Sequence, residues 1–339
     1  SSNMPIKVAS FFAGMGGLDL GFINSGFDII YANEYDKTIW ETYEANHNIK
    51  LDRRSIINVK SLDIPDVDGI IGGPPCQSWS CAGSGGGAND KRGATFFKLL
   101  TIIEAKQPKF FVLENVAGIL SKKHEKSLNE IIETFQNLGY DLNFKTLNAS
   151  DYGVPQDRKR VIFVGFKKDL KIKFCWGDIL KYKFTLQDVL DNNSDPIATK
   201  RDHTGSLDEY FDSSYSSRYM SRNRVRQWSQ QSFTIPAMAR QIPLHPSCPI
   251  MIKKEKDLFE FVTGSKYRRL SVRDCLRIQT FPDNYIMIYS NIVNAYKMIG
   301  NAVPVRLAEH IANLVLKALS KDTLHSTLVQ AHVITSLTK

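Results

Sequence analysis

The stretch KVASFFAGMGGLDL, residues 7–20, carries the reading of the fold. A short apolar run ends at Phe12, glycines follow at 14, 16 and 17, and a helix-like segment opens near Leu18. Glycines after a first strand let the backbone turn tightly and come close to a ligand, as nucleotide-binding folds require at that strand's carboxyl end. The spacing departs from the dinucleotide fingerprint, which needs a sixth-position glycine where Asp19 stands, and so disfavours NAD or FAD. Outward from this stretch the same alternation continues. Apolar runs at Asp28–Ala32, Asp68–Ile71, Lys109–Leu113, Leu142–Leu147 and Arg160–Phe166 are separated by helix-like segments. That pattern predicts an α/β fold with a parallel sheet covered by helices on both faces.

The alternation breaks from about Lys171 to Lys266, a segment rich in Ser, Asp, Arg, Tyr and Pro that reads as a small domain or a long irregular insertion. Regularity returns at Arg268. Ser271 with Asp274 forms a capping-box pair and predicts a helix over Val272–Gln279, ended before Phe281-Pro282. Pro304 suits the first turn of a closing helix that runs to about Leu316. Residues 1–3, before Met4, read as an expression remnant and are set aside; the tail after Lys321 has no clear period and is assigned nothing.

The 339 residues are 42% apolar, enough to bury a sizeable core, and no run approaches the roughly 18 apolar residues of a membrane helix. A folded, soluble chain with no membrane partner is expected. Its formal charge of +9 favours a polyanionic partner without distinguishing DNA from RNA. Cysteines at 76, 81, 175, 248 and 275 form no CxxC pair and join no histidine cluster, so neither zinc nor a disulfide framework is supported. No metal is expected, and a reducing cytoplasm is the default.

Four constellations bear chemistry. Beyond the glycine turn, Glu34 stands just past the second strand, where an acid accepts hydrogen bonds from ribose hydroxyls; the plainer reading is a surface acid. Gly72-Gly73-Pro74-Pro75-Cys76-Gln77-Ser78-Trp79-Ser80 follows an apolar strand, and its two prolines stiffen the approach to a cysteine at a strand end. Lys91, Arg92, Arg158 and Arg160 could supply the positive surroundings that a thiolate needs, against the plainer reading of a buried cysteine. Glu114-Asn115-Val116 puts an acid outside another strand end, where it could donate a proton. Gln156-Asp157-Arg158-Lys159-Arg160 leads into a strand with alternating arginines on one face, able to bind phosphate or a base oxygen, or else a solvated charge run.

In this order, the glycine loop, Pro75-Cys76-Gln77, Glu114-Asn115-Val116, Gln156-x-Arg158-x-Arg160 and the late Gly300-Asn301 resemble the bacterial cytosine-5 DNA methyltransferase family, over about residues 7–316. The closer match is to a GGCC-modifying member, through residues 33–37, 220–228 and 296–301. The resemblance implies a large S-adenosylmethionine-dependent Rossmann-like domain formed by 4–170 with 267–320, a small target-recognition domain at 171–266, and double-stranded DNA as partner. It implies a cofactor pocket lined by Phe12, Gly14, Met15, Gly16, Gly17, Glu34, Tyr35, Ser55, Ile56, Pro74, Asn301 and Ala302. Ser55 stands where the family usually has an aspartate for the adenine amino group, which implies modest cofactor affinity. Cys76 would be the nucleophile, Glu114 the proton donor to a flipped-out cytosine, Arg160 the holder of its O2 edge, and Arg158 a support for the cysteine or a phosphate. Ser78, Arg92, Arg222, Arg224, Arg226 and Arg240 would contact DNA, and the glycines from Gly83 to Gly87 would give a closing loop. A monomer serving restriction–modification in a bacterial cytoplasm is expected. The alternatives are a tRNA-modifying relative, a binder that kept the fold without activity, and a nicotinamide-dependent oxidoreductase.

Overall fold

The computed structural model describes residues 4–81, 91, 93–190 and 207–320. Arg92, the glycines 83–87 and the tail after Lys321 lie outside them. The chain folds as two compact units, one comprising 1–147, 159–179 and 307–339, the other 148–158 and 180–306.

The first unit is built on a six-stranded sheet: β1 (Lys7–Phe11), β2 (Asp28–Asn33), β3 (Gly69–Gly72), β4 (Phe110–Val116), β5 (Tyr140–Asn148) and β6 (Lys159–Lys167). The strand order is β2-β1-β3-β4-β6-β5. β1 pairs parallel to β2 and to β3, and β3 pairs parallel to β4. β6 runs antiparallel to β4, so the expected parallel sheet is mostly rather than entirely parallel. A parallel return needs a crossover of a dozen or more residues, usually a helix, and the link from β5 to β6 holds only a 3₁₀ turn at Ala149–Tyr152.

Helices α1 (Gly17–Asn24), α2 (Trp40–Asn46), α3 (Cys76–Cys81), α4 (Ala94–Lys106) and α5 (Glu125–Asn137) follow strands β1 to β4. Alternate side chains of each strand face opposite ways. Phe11, Phe111, Leu113, Val161 and Phe163 join Phe96, Leu99 and Ile103 of α4 and Ile131 and Phe135 of α5 in one core. Phe110 points to the other face, against Phe27 and Phe166, and Phe27 packs on Phe22 of α1. Small residues make room across the strands: a Cβ on Gly165 would stand 2.2 Å from the Phe111 ring. The sheet is thus covered on both faces, as expected.

The second unit has little regular structure: α6 (Leu186–Val189), a hairpin of β7 (Ile252–Glu255) and β8 (Leu258–Glu260), α7 (Val272–Ile278) and α8 (Ile292–Asn301). The closing helix α9 (Val305–Leu319) begins in this unit and continues in the first. The Ser271 hydroxyl and the Asp274 carboxylate form the capping box expected at α7. Buried hydrogen bonds replace a sheet: Arg269 donates to the carbonyls of Ser213 and Arg240, Tyr219 to that of Ile242, and Tyr296 to that of Leu270. Residues 267–306 pack with 180–266, whereas the resemblance implies grouping them with the sheet; the ties from Arg269, Leu270 and Val272 to residues 209–245 are the reason. Among the described residues, no helix is long and apolar enough to cross a membrane.

Candidate active site

The strand order reverses at β1, whose sequence neighbour β2 lies on one side and β3 on the other. Open α/β sheets bind ligands at such a switch point, outside the carboxyl ends of the strands. There, a pocket of about 680 Å³ is lined by Phe12, Glu34, Tyr35, Ser55 and Ile56, all expected at the cofactor, and by Asn33, Asp36, Lys37, Trp40, Pro75 and Thr95, which the sequence did not place there. An aromatic residue at the start of the helix after Glu34 was the one available signal for Trp40.

The glycine turn is held from below and from the side. Phe12, Gly14 and Gly16 have positive φ of 51°, 58° and 94°. The Gly14 amide donates to Glu34 Oε1 at 2.9 Å and the Asp36 amide to Oε2 at 2.8 Å, so one carboxylate ties the first loop to the end of β2. Burial pushes the Glu34 carboxyl above its usual range. Beneath the loop Met15, Gly16 and Gly17 are buried, and the His47 ring bonds to the Met15 backbone. That ring stacks on Tyr43 at 4.2 Å, and Tyr43 and Ser10 donate to the buried Asp19, the residue that breaks the dinucleotide fingerprint. Burial raises the Asp19 carboxyl and lowers the His47 imidazole.

Ser55 and Ile56 reach the pocket because Asn33 donates to the carbonyls of Asp52 and Arg54, and because Asp52 accepts from Tyr31 at 2.7 Å. The Ser55 hydroxyl accepts from the Ile57 amide, capping the 3₁₀ turn Ile56–Asn58. Asn301 and Ala302 lie in the second unit, at the end of α8.

Cys76 opens α3, at the carboxyl end of β3, and is half-buried. Glu114 lies near the end of β4; its Oε2 is 3.0 Å from where a Cβ on Gly73 would stand, three residues before the cysteine. The antiparallel register pairs Val116 with Arg160, and the Arg160 Nε meets Glu114 Oε1 at 3.2 Å, both side chains largely buried. Burial lowers the Arg160 guanidinium, and the Glu114 charge opposes that shift. The sheet therefore brings a thiol, a carboxylate and a guanidinium to one edge from three positions separated by 38 and 46 residues in the chain, as the numbers 76, 114 and 160 give.

Three expected contacts are corrected. Ser78, expected at DNA, is 3% exposed and donates its hydroxyl to the Pro75 carbonyl at 2.7 Å. Arg158 is 2% exposed and donates to Gln156 Oε1 and to the carbonyls of Ile235, Gly300 and Ala302, which leaves no exposed edge for a phosphate. Arg224 is 4% exposed and donates to the carbonyls of Tyr219 and Arg218. Arg222 and Arg240 are exposed and Arg226 is half-exposed; Arg222 and Arg226 lie over the Phe233 ring at 5.5 and 4.1 Å.

The family model described as C-5 cytosine-specific DNA methylase matches residues 6–317. The type II methyltransferase M.MthTI of Methanothermobacter thermautotrophicus is 48% identical over 325 residues, covering 93% of this chain and 98% of its own. M.NgoPII of Neisseria gonorrhoeae is 48% identical over 337 residues, covering 94% and 97%. Among solved structures, the Entamoeba histolytica methyltransferase EhMeth aligns with a TM-score of 0.73 at 18% identity, covering 94% of this chain and 100% of that one, which shows a shared fold. With a family model spanning nearly all of it and relatives close to half-identical along their length, the chain belongs to the C-5 cytosine-specific DNA methylases, enzymes whose methyl donor is S-adenosylmethionine.

Proposed function

We propose that the protein is the type II methyltransferase of a bacterial restriction–modification system, acting in the cytoplasm as a single chain on a cytosine flipped out of double-stranded GGCC. The observation that carries this reading is the Glu114–Arg160 ion pair at the end of β4, with Glu114 beside Gly73, three residues before Cys76, and Pro75 of the same turn lining the switch-point pocket. The relatives M.MthTI, M.FnuDI and M.NgoPII are named type II methyltransferases. The resemblance of residues 33–37, 220–228 and 296–301 to a GGCC-modifying member of the family supports GGCC as the site.

The pocket fits S-adenosylmethionine: its volume suits a nucleoside, Phe12, Trp40 and Ile56 offer apolar walls, and Glu34 offers an acceptor. Phe12, Glu34, Tyr35, Ser55 and Ile56 would hold it, with Gly14, Gly16 and Gly17 giving the close backbone and Met15 and Pro74 supporting the loop; Asn301 and Ala302 enter only through the family resemblance. When bound, the cofactor supplies an electrophilic methyl group.

Cytosine C5 is a weak nucleophile because its ring is aromatic. Addition of the Cys76 thiolate at C6 breaks that aromaticity and gives C5 enamine character. Glu114, in its protonated form, stabilises the change by donating to N3, and Arg160 holds the O2 edge. After C5 is methylated, a base removes the C5 proton and the electron pair expels Cys76. The target atom is unreachable in a stacked duplex, so the base must flip, at a cost of a few kcal/mol. The unit spanning 180–306 would read the sequence, through Arg222, Arg226 and Arg240. Arg92 would add a contact.

Incubation with labelled S-adenosylmethionine and a GGCC duplex, beside a scrambled duplex, an RNA and the Cys76→Ser variant, tests this. The expected result is label at cytosine C5 in GGCC alone, lost in the variant. Label on RNA only would move the protein to a different substrate class, and label retained by Cys76→Ser would remove the nucleophile.

A further inference from the structure

We propose that Trp79 and Asn115 are positioning residues for Cys76, acting together through one backbone atom, the carbonyl oxygen of Pro74. The proposal rests on Cys76 being the nucleophile. Trp79 Nε1 donates to this oxygen at 3.0 Å and Asn115 Nδ2 donates to it at 3.1 Å. A carbonyl oxygen has two lone pairs, and these two donors use both. Proline has no amide hydrogen, so the carbonyl is the only polar handle that Pro74 offers.

Both donors are rigid. Trp79 is fully buried and its indole packs against Phe96 at 4.4 Å and Phe163 at 4.8 Å. Asn115 is 4% exposed, and its Oδ1 accepts the Val116 amide at 2.7 Å, which fixes the amide with its nitrogen toward Pro74. The two come from the elements whose relative placement the chemistry needs. Trp79 lies one turn after Cys76 on α3, and Asn115 follows Glu114 on β4. Their convergence on Pro74 therefore ties the turn that precedes the thiol both to the helix that carries it and to the strand that carries the carboxylate. A phenylalanine at 79 would keep an aromatic ring in the core but would leave the space of the pyrrole ring unfilled and offer no N–H; the indole N–H is what makes the connection. Displacements of about 1 Å at a reacting centre cost on the order of a hundredfold in rate.

The test uses the duplex methylated in the assay above, with 5-fluorocytosine at the target. The Sγ–C6 bond forms and C5 takes the methyl group from S-adenosylmethionine, but fluorine cannot leave C5 as a proton does, so Sγ stays bonded to the DNA. Trp79→Phe keeps an aromatic ring against Phe96 and Phe163 while removing the donor and part of the buried ring volume; Asn115→Ala removes the other donor. Each is expected to slow trapping by about 10- to 100-fold, more than its loss of thermal midpoint or duplex affinity accounts for. No adduct at Cys76 in the wild type would sink the nucleophile and the positioning together. Wild-type trapping matched by both variants would leave the nucleophile standing and overturn the positioning. Trapping that falls only in proportion to lost stability or DNA affinity would also overturn it, since that is the mark of a packing role.

Discussion

Arg222, Arg224 and Arg226 stand two apart in the chain, yet their guanidinium groups meet different surroundings. Arg224 lies over the Tyr219 ring at 4.6 Å and is bonded to two carbonyls, and burial lowers its guanidinium. Arg222 and Arg240 face solvent. Breaking a buried, charge-assisted pair of hydrogen bonds costs on the order of 2 to 4 kcal/mol, whereas truncating an exposed arginine costs within about 0.5 kcal/mol. Arg224→Ala is therefore expected to lower the thermal midpoint clearly, and Arg222→Ala and Arg240→Ala to leave it in place while weakening duplex binding or relaxing the site. Thermal denaturation beside binding to matched and mismatched duplexes separates the two effects. An Arg224→Ala protein as stable as wild type but less selective would return Arg224 to the DNA surface. The arginine run was visible in the sequence; which arginine is used internally was not, because the carbonyls it meets are placed by the fold.

At the scale of elements, the connection from β1 to α1 shows why glycine is required at one position more than at another. A Cβ on Gly16 would stand 2.2 Å from His47 Nε2, and the ring cannot move aside freely because it stacks on Tyr43, which is anchored to Asp19. Gly14 shares a positive φ but has open space, with nothing within 4 Å of an added Cβ. Left-handed strain costs on the order of 1 to 3 kcal/mol for a residue with a side chain, and the clash adds to it only at Gly16. Gly16→Ala should thus weaken S-adenosylmethionine binding more than Gly14→Ala, by about tenfold or beyond, in calorimetric titration. Equal losses at the two positions would show that the His47 contact is irrelevant. Most strands were legible as apolar runs because both faces of this sheet are covered. The direction of β6 was not, since an apolar run carries no polarity and only the short link from β5 reverses it.

At the scale of the whole molecule, each unit buries a histidine that resists protonation. His245 in the second unit and His310 on α9 are both pushed down from 6.5 to about 4, chiefly by burial. In the unfolded chain both protonate near 6.5, so between that value and about 4 the unfolded state binds more protons and stability is lost as pH falls. The loss approaches about 3 kcal/mol for each histidine, and below about 4 these two groups add nothing more. Asp19 acts in the opposite sense: its raised folded value makes its contribution complete below 3.8 and withdraws stability as pH rises above that. Thermal midpoints measured from pH 7 to 4 should fall less steeply in His245→Gln and in His310→Gln than in wild type; unchanged slopes in both would contradict neutral burial of the two rings. Local sequence carries the positions of the strands, the glycine turn, the capped helix at Ser271 and the order of the motifs that hold Cys76, Glu114 and Arg160. Those features rest on local sterics and on which residues water excludes, and both are written in nearest neighbours along the chain. Only the tertiary structure decided that Arg158 serves carbonyls 77, 142 and 144 residues away, that Trp79 and Asn115 share Pro74, and that 267–306 pack with 180–266. A hydrogen-bond donor is committed by whichever acceptor folding brings within about 3 Å, and that pairing has no counterpart in local sequence.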